Sequence, residues 1–346
     1  MIASQRDPDV ASVLKTVDAM VRDGRRMDAI ETVTVANRTR RDARLEQRLV
    51  YLRHNAFADL VPSPGLAAWP PSAPDLFETT TGLAEVPARD LSAETLASGI
   101  IRHGCLLVRG LIAPPVVARL KNSIDEAFAA LDAHSRGAPV SETTPWYSPF
   151  TAAPGYSVVG GSRKWVTDGG GVWTVDSPRA MFDTLEAFEE IGLAEPLTGY
   201  LGERPALSVK KWTLRRVPTT SGTNWHQDGA FLGADIRTVN VWLTLSHCGD
   251  TAPGLDVVAR RFDRLAETGT AGALFDWSVG EPVVERVADG APILRPVFEP
   301  GDALLFDNMF LHRTAADTTM TQTRYAIESW FFAPSRYPTE QVPLVF

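Results

Sequence analysis

His226 and Asp228 stand in the segment "TNWHQDGAF", and His312 closes "LLFDNMFLH" much later in the chain. In an extended segment successive side chains point to opposite faces, so residues i and i+2 share one face. His226 and Asp228 then aim at one point, while Gln227 turns away from it and is carried as a candidate substrate contact. A second imidazole from His312, delivered by a distant strand, makes two nitrogens and one carboxylate. That set covers one face of a metal ion and leaves the other open, the arrangement used by non-haem Fe(II) oxygenases. A His-x-Asp tripeptide alone is a weak signal, because a histidine in a strand is usually just a hydrogen-bonded polar residue. The context strengthens it. Pro300 and Gly301 suit the central positions of a type II turn directly before an apolar strand ending in His312. Two of the chain's six histidines fall in these contexts.

Arg324 follows His312 by twelve residues and opens "RYAIESWFF", a strand-like run. An iron with an open face needs electrons to activate O2, and 2-oxoglutarate can supply them while chelating the metal through its 1-carboxylate and 2-oxo group. Its far carboxylate then needs a cation. The planar fork of arginine meets a carboxylate with two parallel hydrogen bonds. Alone, Arg324 reads as a surface strand residue in a salt bridge; after the His-x-Asp…His pattern it reads as the co-substrate anchor.

Several stretches, in order, resemble the phytanoyl-CoA dioxygenase family of Fe(II)/2-oxoglutarate-dependent oxygenases. They are "GIIRHGCLLVRGLIAPPVVARLKNSIDEAF" (99–128), "NWHQDG", "VNVWLTLSHCGDTAPGLDVV", "EPGDALLFDNMFLHRTA" and "RYAIESWFF". The resemblance covers about residues 85–335, and it is specific for cofactor chemistry and poor for substrate. It implies Fe(II) held by His226, Asp228 and His312, with 2-oxoglutarate and O2 as co-substrates. It implies that Thr314, two residues after the distal histidine, helps Arg324 hold the co-substrate carboxylate. Trp242 matches a tryptophan that lines the same pocket. The reaction implied is oxidation of a substrate C–H bond, hydroxylation first, with release of succinate and CO2. Halogenating relatives replace the carboxylate ligand with a small residue, so the retained Asp228 disfavours halogenation.

"TVNVWLTLS" can be read without the family. Val239, Val241, Leu243 and Leu245 share one face; Thr238, Asn240, Trp242 and Thr244 share the other. The second face is expected to look into a cavity, which places Asn240 and Trp242 beside the cofactors. Residues 135–180 include "APGYSVVGGSRKWVTDGGGVW", an irregular zone expected to form a lid, with Arg163, Lys164, Trp165 or Trp173 meeting substrate. Its glycine run, 169–171, lacks the Lys-Ser/Thr of a phosphate loop. A second insertion, about 260–292, is expected to form the opposite rim.

The fold class expected is mainly β (α+β): a double-stranded β-helix, jelly-roll or cupin-like, with flanking helices. Its strands come late, separated by Pro/Gly turns; the helices come early and should pack on one sheet. The oxygenase domain is expected over 85–346. Residues 61–84 read as a linker, since Pro62, Pro64, Gly65, Pro70, Pro71 and Pro74 break regular structure. Residues 1–60 read as three helices, faintly like one tetratricopeptide unit, either packed on the main domain or serving a second subunit, a carrier or a partner enzyme. His54, on the third, is expected at the surface.

The 346-residue chain has a net charge of −8 and no basic stripe, which argues against nucleic acid. No secretory signal or membrane span is visible, and two cysteines imply a reduced, cytoplasmic setting. Cys105 reads as a small core residue. The substrate class left open is a small molecule or a carrier-tethered one. Two other functions stay open: a cupin-like metal enzyme without 2-oxoglutarate, and a non-catalytic binding protein acting through the N-terminal helices.

Overall fold

The computed structural model describes residues 9–60, 68–78, 80, 82–157, 160–220, 222, 224–338 and 340–346. Pro62, Pro64 and Gly65 of the expected linker lie outside the described residues, whereas Pro70, Pro71 and Pro74 sit in an irregular segment. Helices α1 (Val10–Arg22), α2 (Arg26–Thr39) and α3 (Ala43–Asn55) match the sequence pattern. Val10, Val13 and Val17 form the buried stripe of α1, and Asp42 caps α3 by accepting from the Arg44 amide. These helices share one hydrophobic core with the large sheet described below.

The contact between them is polar as well as apolar. Glu46 is fully buried on α3, where Arg41 and Arg179 both bond its carboxylate. A buried carboxylate needs such partners, because desolvating it alone costs several kcal/mol. His54 is not at the surface as expected: it is 2% exposed. Its Nδ1–H donates to the Pro343 carbonyl at 2.8 Å, and its Nε2 accepts from the Ala153 amide at 3.0 Å.

The middle of the chain gives β1 (Ala84–Pro87), α4 (Ala93–His103), β2 (Cys105–Arg109), α5 (Pro114–Ser135), α6 (Val140–Thr143), α7 (Gly160–Asp168), β3 (Gly171–Trp173), α8 (Pro178–Glu190) and α9 (Ala194–Leu201). The last part gives β4 (Ala206–Val217), α10 (Gly229–Leu232), β5 (Thr238–Thr244), β6 (Gly254–Val258), α11 (Glu281–Ala288), β7 (Ile293–Leu294), β8 (Ala303–Phe306), β9 (His312–Ala315), β10 (Arg324–Phe332) and β11 (Pro343–Val345). The large sheet runs β1-β2-β8-β5-β10-β4-β11, with β3 also on β4, and the small sheet runs β7-β6-β9. The two sheets face each other as a jelly roll. Helices cover the outer face of the large sheet, and a second core fills the space between the sheets.

β5 shows how one strand serves both layers. Val239, Val241, Leu243 and Leu245 enter the helix-side core. Burying such a side chain contributes about 1.5–3 kcal/mol. Asn240 and Trp242 face the inter-sheet space instead. The turn before β8 is as expected: the Asp302 amide donates to Glu299 O at 3.0 Å, and Gly301 has φ +100°. A Cβ at Gly301 would stand 2.5 Å from the Ile112 carbonyl, so glycine is required on both counts.

One expectation needs correction. The apolar run after this turn is not a single strand ending in His312. β8 stops at Phe306, and the Asp307 carboxylate then accepts from the Met309 amide at 2.9 Å, turning the chain. His312 therefore begins β9, in the other sheet. Cys105 and Cys248 are both buried, and burial pushes the Cys105 thiol up, as for an inert core residue.

Candidate metal centre

His226 and His312 face each other across a short antiparallel bridge, with the His226 amide 2.9 Å from His312 O and the His312 amide 3.1 Å from His226 O. Backbone pairing thus brings together two residues 86 positions apart. Each imidazole is also fixed in orientation. His226 Nδ1–H donates to Asn224 O at 2.9 Å, and His312 Nδ1–H to Phe310 O at 3.0 Å. Both Nε2 atoms are then left unprotonated and free to ligate, the usual way a backbone carbonyl selects the ligating tautomer.

Asp228 sits two residues after His226, at the start of α10. Its carboxylate comes within 3.7 Å of His312 Nε2. One ligand atom from each of His226, Asp228 and His312 lies within 4.8 Å of the others. Among the described residues this is the sole cluster of metal-ligating type. Burial first, and repulsion from His226 second, lower His312 to about 4 despite the attraction of Asp228. It is therefore neutral at ordinary pH, as a ligand must be.

The three side chains open onto a cavity of about 630 Å³. Asn240, Trp242 and Thr314 line it, as does Leu255, which pairs with Thr314 across β6 and β9. Arg324 stands behind this wall. Its guanidinium lies 5.3 Å from the Trp242 ring centre, and it donates to Gly254 O at 3.0 Å. The side chain is 1% exposed and among the described residues makes no ion pair with a carboxylate, so it is not a surface salt bridge. Burial lowers its pKa. Arg324 Nε, Trp242 Nε1 and Asn240 Oδ1 are buried with no hydrogen-bond partner. Unpaired buried polar atoms are costly and mark places where a ligand supplies the missing partner. The two imidazoles and the carboxylate fit a metal, and the unpaired Arg324 Nε–H and Trp242 Nε1–H fit an oxygen-rich chelating co-substrate.

Of the expected substrate residues, Trp165 and Trp173 line the cavity. Lys164 does not: on the outer side of α7 it pairs with Asp168 at 2.7 Å and is 77% exposed. Arg163 turns inward to Asp176 at 2.8 Å and lies under Trp173. Gln227 is 1% exposed and off the cavity wall. Its amide donates to Met309 O at 2.6 Å and accepts from the Ala266 amide at 2.7 Å, tying two loops together behind the metal ligands. The i+2 alternation that places Asp228 beside His226 also sends Gln227 the other way.

Among the cavity residues that escaped the sequence reading are Lys210, Lys211, Arg215, Phe231, Phe275, Trp277 and Glu328. Period-2 alternation held a signal for some of them. Lys211, Thr213 and Arg215 alternate with Trp212 and Leu214 along β4, and Glu328 lies four residues beyond Arg324 on β10. The β4–β10 register breaks between Ser329 and Phe331, so residues 208–211 stand opposite Trp330. That irregularity brings both Lys210 and Lys211 to the cavity, as bulges near sites often do. Phe231, Phe275 and Trp277 sit outside regular strands and carried no such signal.

The electrostatics of this wall are specific. Burial alone would raise the Glu328 carboxyl, but the charge and hydrogen bond of Arg215 at 2.9 Å outweigh it and hold Glu328 near 2. Lys211 Nζ lies 3.6 Å from Asp228 and 4.0 Å from the Phe231 ring centre. Burial lowers its pKa, with Asp228 opposing. The 260–292 insertion meets α7 through aromatic rings. Trp165 packs edge-on against Phe275 at 5.6 Å, Phe275 stacks on Trp277 at 5.0 Å, and Trp277 meets His226 at 5.6 Å.

No family model and no curated protein sequence matches this chain. The phytanoyl-CoA dioxygenase resemblance therefore stays one of motifs. Solved structures do match. EctD from S. alaskensis, solved with 2-oxoglutarate and 5-hydroxyectoine, is 16% identical over 79% of this chain and 87% of its own, with a TM-score of 0.50. AviO1 from Streptomyces viridochromogenes Tue57 is 18% identical over 72% of this chain and 98% of its own, TM-score 0.47. SnoK, a non-haem alpha-ketoglutarate-dependent carbocyclase from nogalamycin biosynthesis, is 12% identical over 72% of this chain and 87% of its own, TM-score 0.46. At such identities the likeness to EctD is one of fold.

Proposed function

We propose that the protein is a non-haem Fe(II)- and 2-oxoglutarate-dependent dioxygenase, of the hydroxylating kind, resembling the phytanoyl-CoA dioxygenase family. The observation that carries this reading is the convergence of one ligand atom each from His226, His312 and Asp228 within 4.8 Å at an open cavity. Two imidazoles and one carboxylate suit Fe(II) and leave room for co-substrate and O2. Bound there, the metal with 2-oxoglutarate and O2 supplies the oxidation of a substrate C–H bond, releasing succinate and CO2.

The chain's own residues bind, orient and exclude water. The carbonyls of Asn224 and Phe310 hold both imidazole rings in ligating orientation. Asp228 would contribute the anionic ligand, offsetting part of the charge of a bound divalent cation. Arg324 supplies a buried cation behind Trp242, and Thr314 and Asn240 add polar groups on the same wall, suited to a carboxylate. The aromatic mouth keeps bulk water from the metal face. The Arg215–Glu328 pair neutralises the charge of the side wall, so a neutral or singly charged substrate portion can lie along it.

The test is Fe(II)-dependent conversion of 2-oxoglutarate to succinate by the purified chain, compared with His312→Ala. Succinate formed by the native chain and absent from the variant supports the reading. Equal succinate from both removes the triad from the reaction, and metal binding without any succinate even after substrate screening points to a metal enzyme that does not use 2-oxoglutarate.

A further inference from the structure

We propose that the substrate is a small oxyanion, a carboxylate or its chemical equivalent, borne on a flat apolar ring system, with Lys211 as its charge partner and the Trp165–Phe275–Trp277 rings as its clamp. This rests on the dioxygenase reading for the identity of the site as a substrate cavity, and it deepens that reading by naming a substrate class.

The charge argument starts from the wall. Three cationic side chains, Lys210, Lys211 and Arg215, line the cavity against two carboxylates, Asp228 and Glu328. Arg215 is already engaged by Glu328 at 2.9 Å, and Lys210 caps the Glu340 carbonyl at 2.6 Å. Lys211 differs from both. Among the described residues its ion-pair partner is Asp228, a residue of the metal-ligating cluster. When Asp228 ligates a divalent cation, its charge is committed to that cation, and Lys211 is left facing the cavity without full compensation. A cation part-buried in an apolar setting needs a counter-charge, and a substrate oxyanion supplies it.

The shape argument is independent of charge. Trp165 is 61% exposed, and Phe231 and Phe275 are each 38% exposed. All three line the same cavity. Exposed large apolar side chains gathered at one mouth mark a binding surface. Phe275 and Trp277 are parallel within 4°, offering a flat face, and Trp277 reaches the His226 ring at 5.6 Å. The flat wall therefore runs from solvent to the metal ligands. Lys211 lies 4.0 Å over Phe231, which joins the apolar wall to the charge. A cavity of about 630 Å³ suits a small drug-sized molecule.

The test needs no turnover. The full chain loaded with Zn(II), which engages Asp228 without redox chemistry, is titrated with 2-naphthoate, 2-naphthamide and 2-naphthylmethylammonium, with binding read by calorimetry and tryptophan fluorescence. The same titrations follow for Lys211→Met, Lys211→Arg, Arg324→Met and Trp277→Ala. The expected result is naphthoate binding about tenfold tighter than the amide, the size of one charge-assisted hydrogen bond, and the ammonium binding weakest. Lys211→Met brings naphthoate to the level of the amide, Lys211→Arg keeps the preference, and Trp277→Ala weakens all three probes. Equal binding of the three overturns the proposal, as does a preference that survives Lys211→Met. So does a preference lost in Arg324→Met alone, because the anion then sits where 2-oxoglutarate belongs. If Lys211→Met changes only Fe(II) affinity, Lys211 positions Asp228 and the proposal fails. Because the assay holds no iron, absence of succinate formation would sink the dioxygenase reading without touching this result.

Discussion

The floor of the cavity and its mouth are built by different means. At the floor, strand register places most groups: His226 and His312 pair through their backbones, Thr314 pairs with Leu255, and Asn240 and Trp242 follow the alternation of β5. At the mouth, rings from irregular segments hold one another. Trp165 on α7 touches Phe275, which stacks on Trp277. Hydrogen-bonded strands fix a side chain through its backbone register, whereas contacts between irregular segments hold only the rings that touch. Under the proposed function, cofactor chemistry belongs to the floor and substrate choice to the mouth.

The largest effects should therefore come from the floor. Asp228→Ala or His312→Ala is expected to lower Fe(II) affinity by at least about a hundredfold, read by metal titration, and to abolish succinate formation. Retained affinity would mean that the floor is not the metal site. Arg324→Met should separate the two cofactors, raising the apparent Kd for 2-oxoglutarate by roughly tenfold to a hundredfold while leaving Fe(II) binding intact. Arg324→Lys should not restore it, because a point charge does not replace the planar fork.

The side wall sits between the extremes. Glu328 is held near 2, below the ordinary 4.5 of its type, so its stabilising contribution is complete above about 4.5 and disappears as pH falls toward 2. The contribution is on the order of 2 kcal/mol. Thermal denaturation between pH 5 and 2 should show a steeper fall for the native chain than for Glu328→Gln, and parallel curves would remove the Arg215–Glu328 pair from the account. At the mouth, Phe275→Ala should shift stability by no more than about 1 kcal/mol, given its exposure, and leave Fe(II) and 2-oxoglutarate binding unchanged. It should weaken substrate capture alone. Smallest of all, Lys164→Ala should alter neither cofactor nor substrate binding, because its partner is Asp168 outside the cavity.

The same contrast explains what the sequence could tell. His226, Asp228, His312, Asn240 and Trp242 were legible because strand periodicity dictates which face a residue takes. The jelly roll and the three N-terminal helices were legible for a similar reason, each leaving a period of 2 or 3.6. Periodicity could not show that the run after Gly301 leaves one sheet for the other, since Asp307 turns the chain through a local side-chain bond. Nor could it show that His54 is buried, because its partners Pro343 and Ala153 are remote in sequence. Lys211 was half legible: β4 alternates, but the register break beside Trp330 lies in pairing, not in composition. Phe275 and Trp277 belong to a segment without a period, so neither was named.

The most direct test is anaerobic titration of the metal-free chain with Fe(II) and 2-oxoglutarate, watching for the weak charge-transfer band at roughly 500 nm that such a chelate gives. A band that is absent in His312→Ala and weakened in Arg324→Met is the result predicted here. Fe(II) bound by the triad with no band on adding 2-oxoglutarate would contradict the assignment of the floor to that co-substrate.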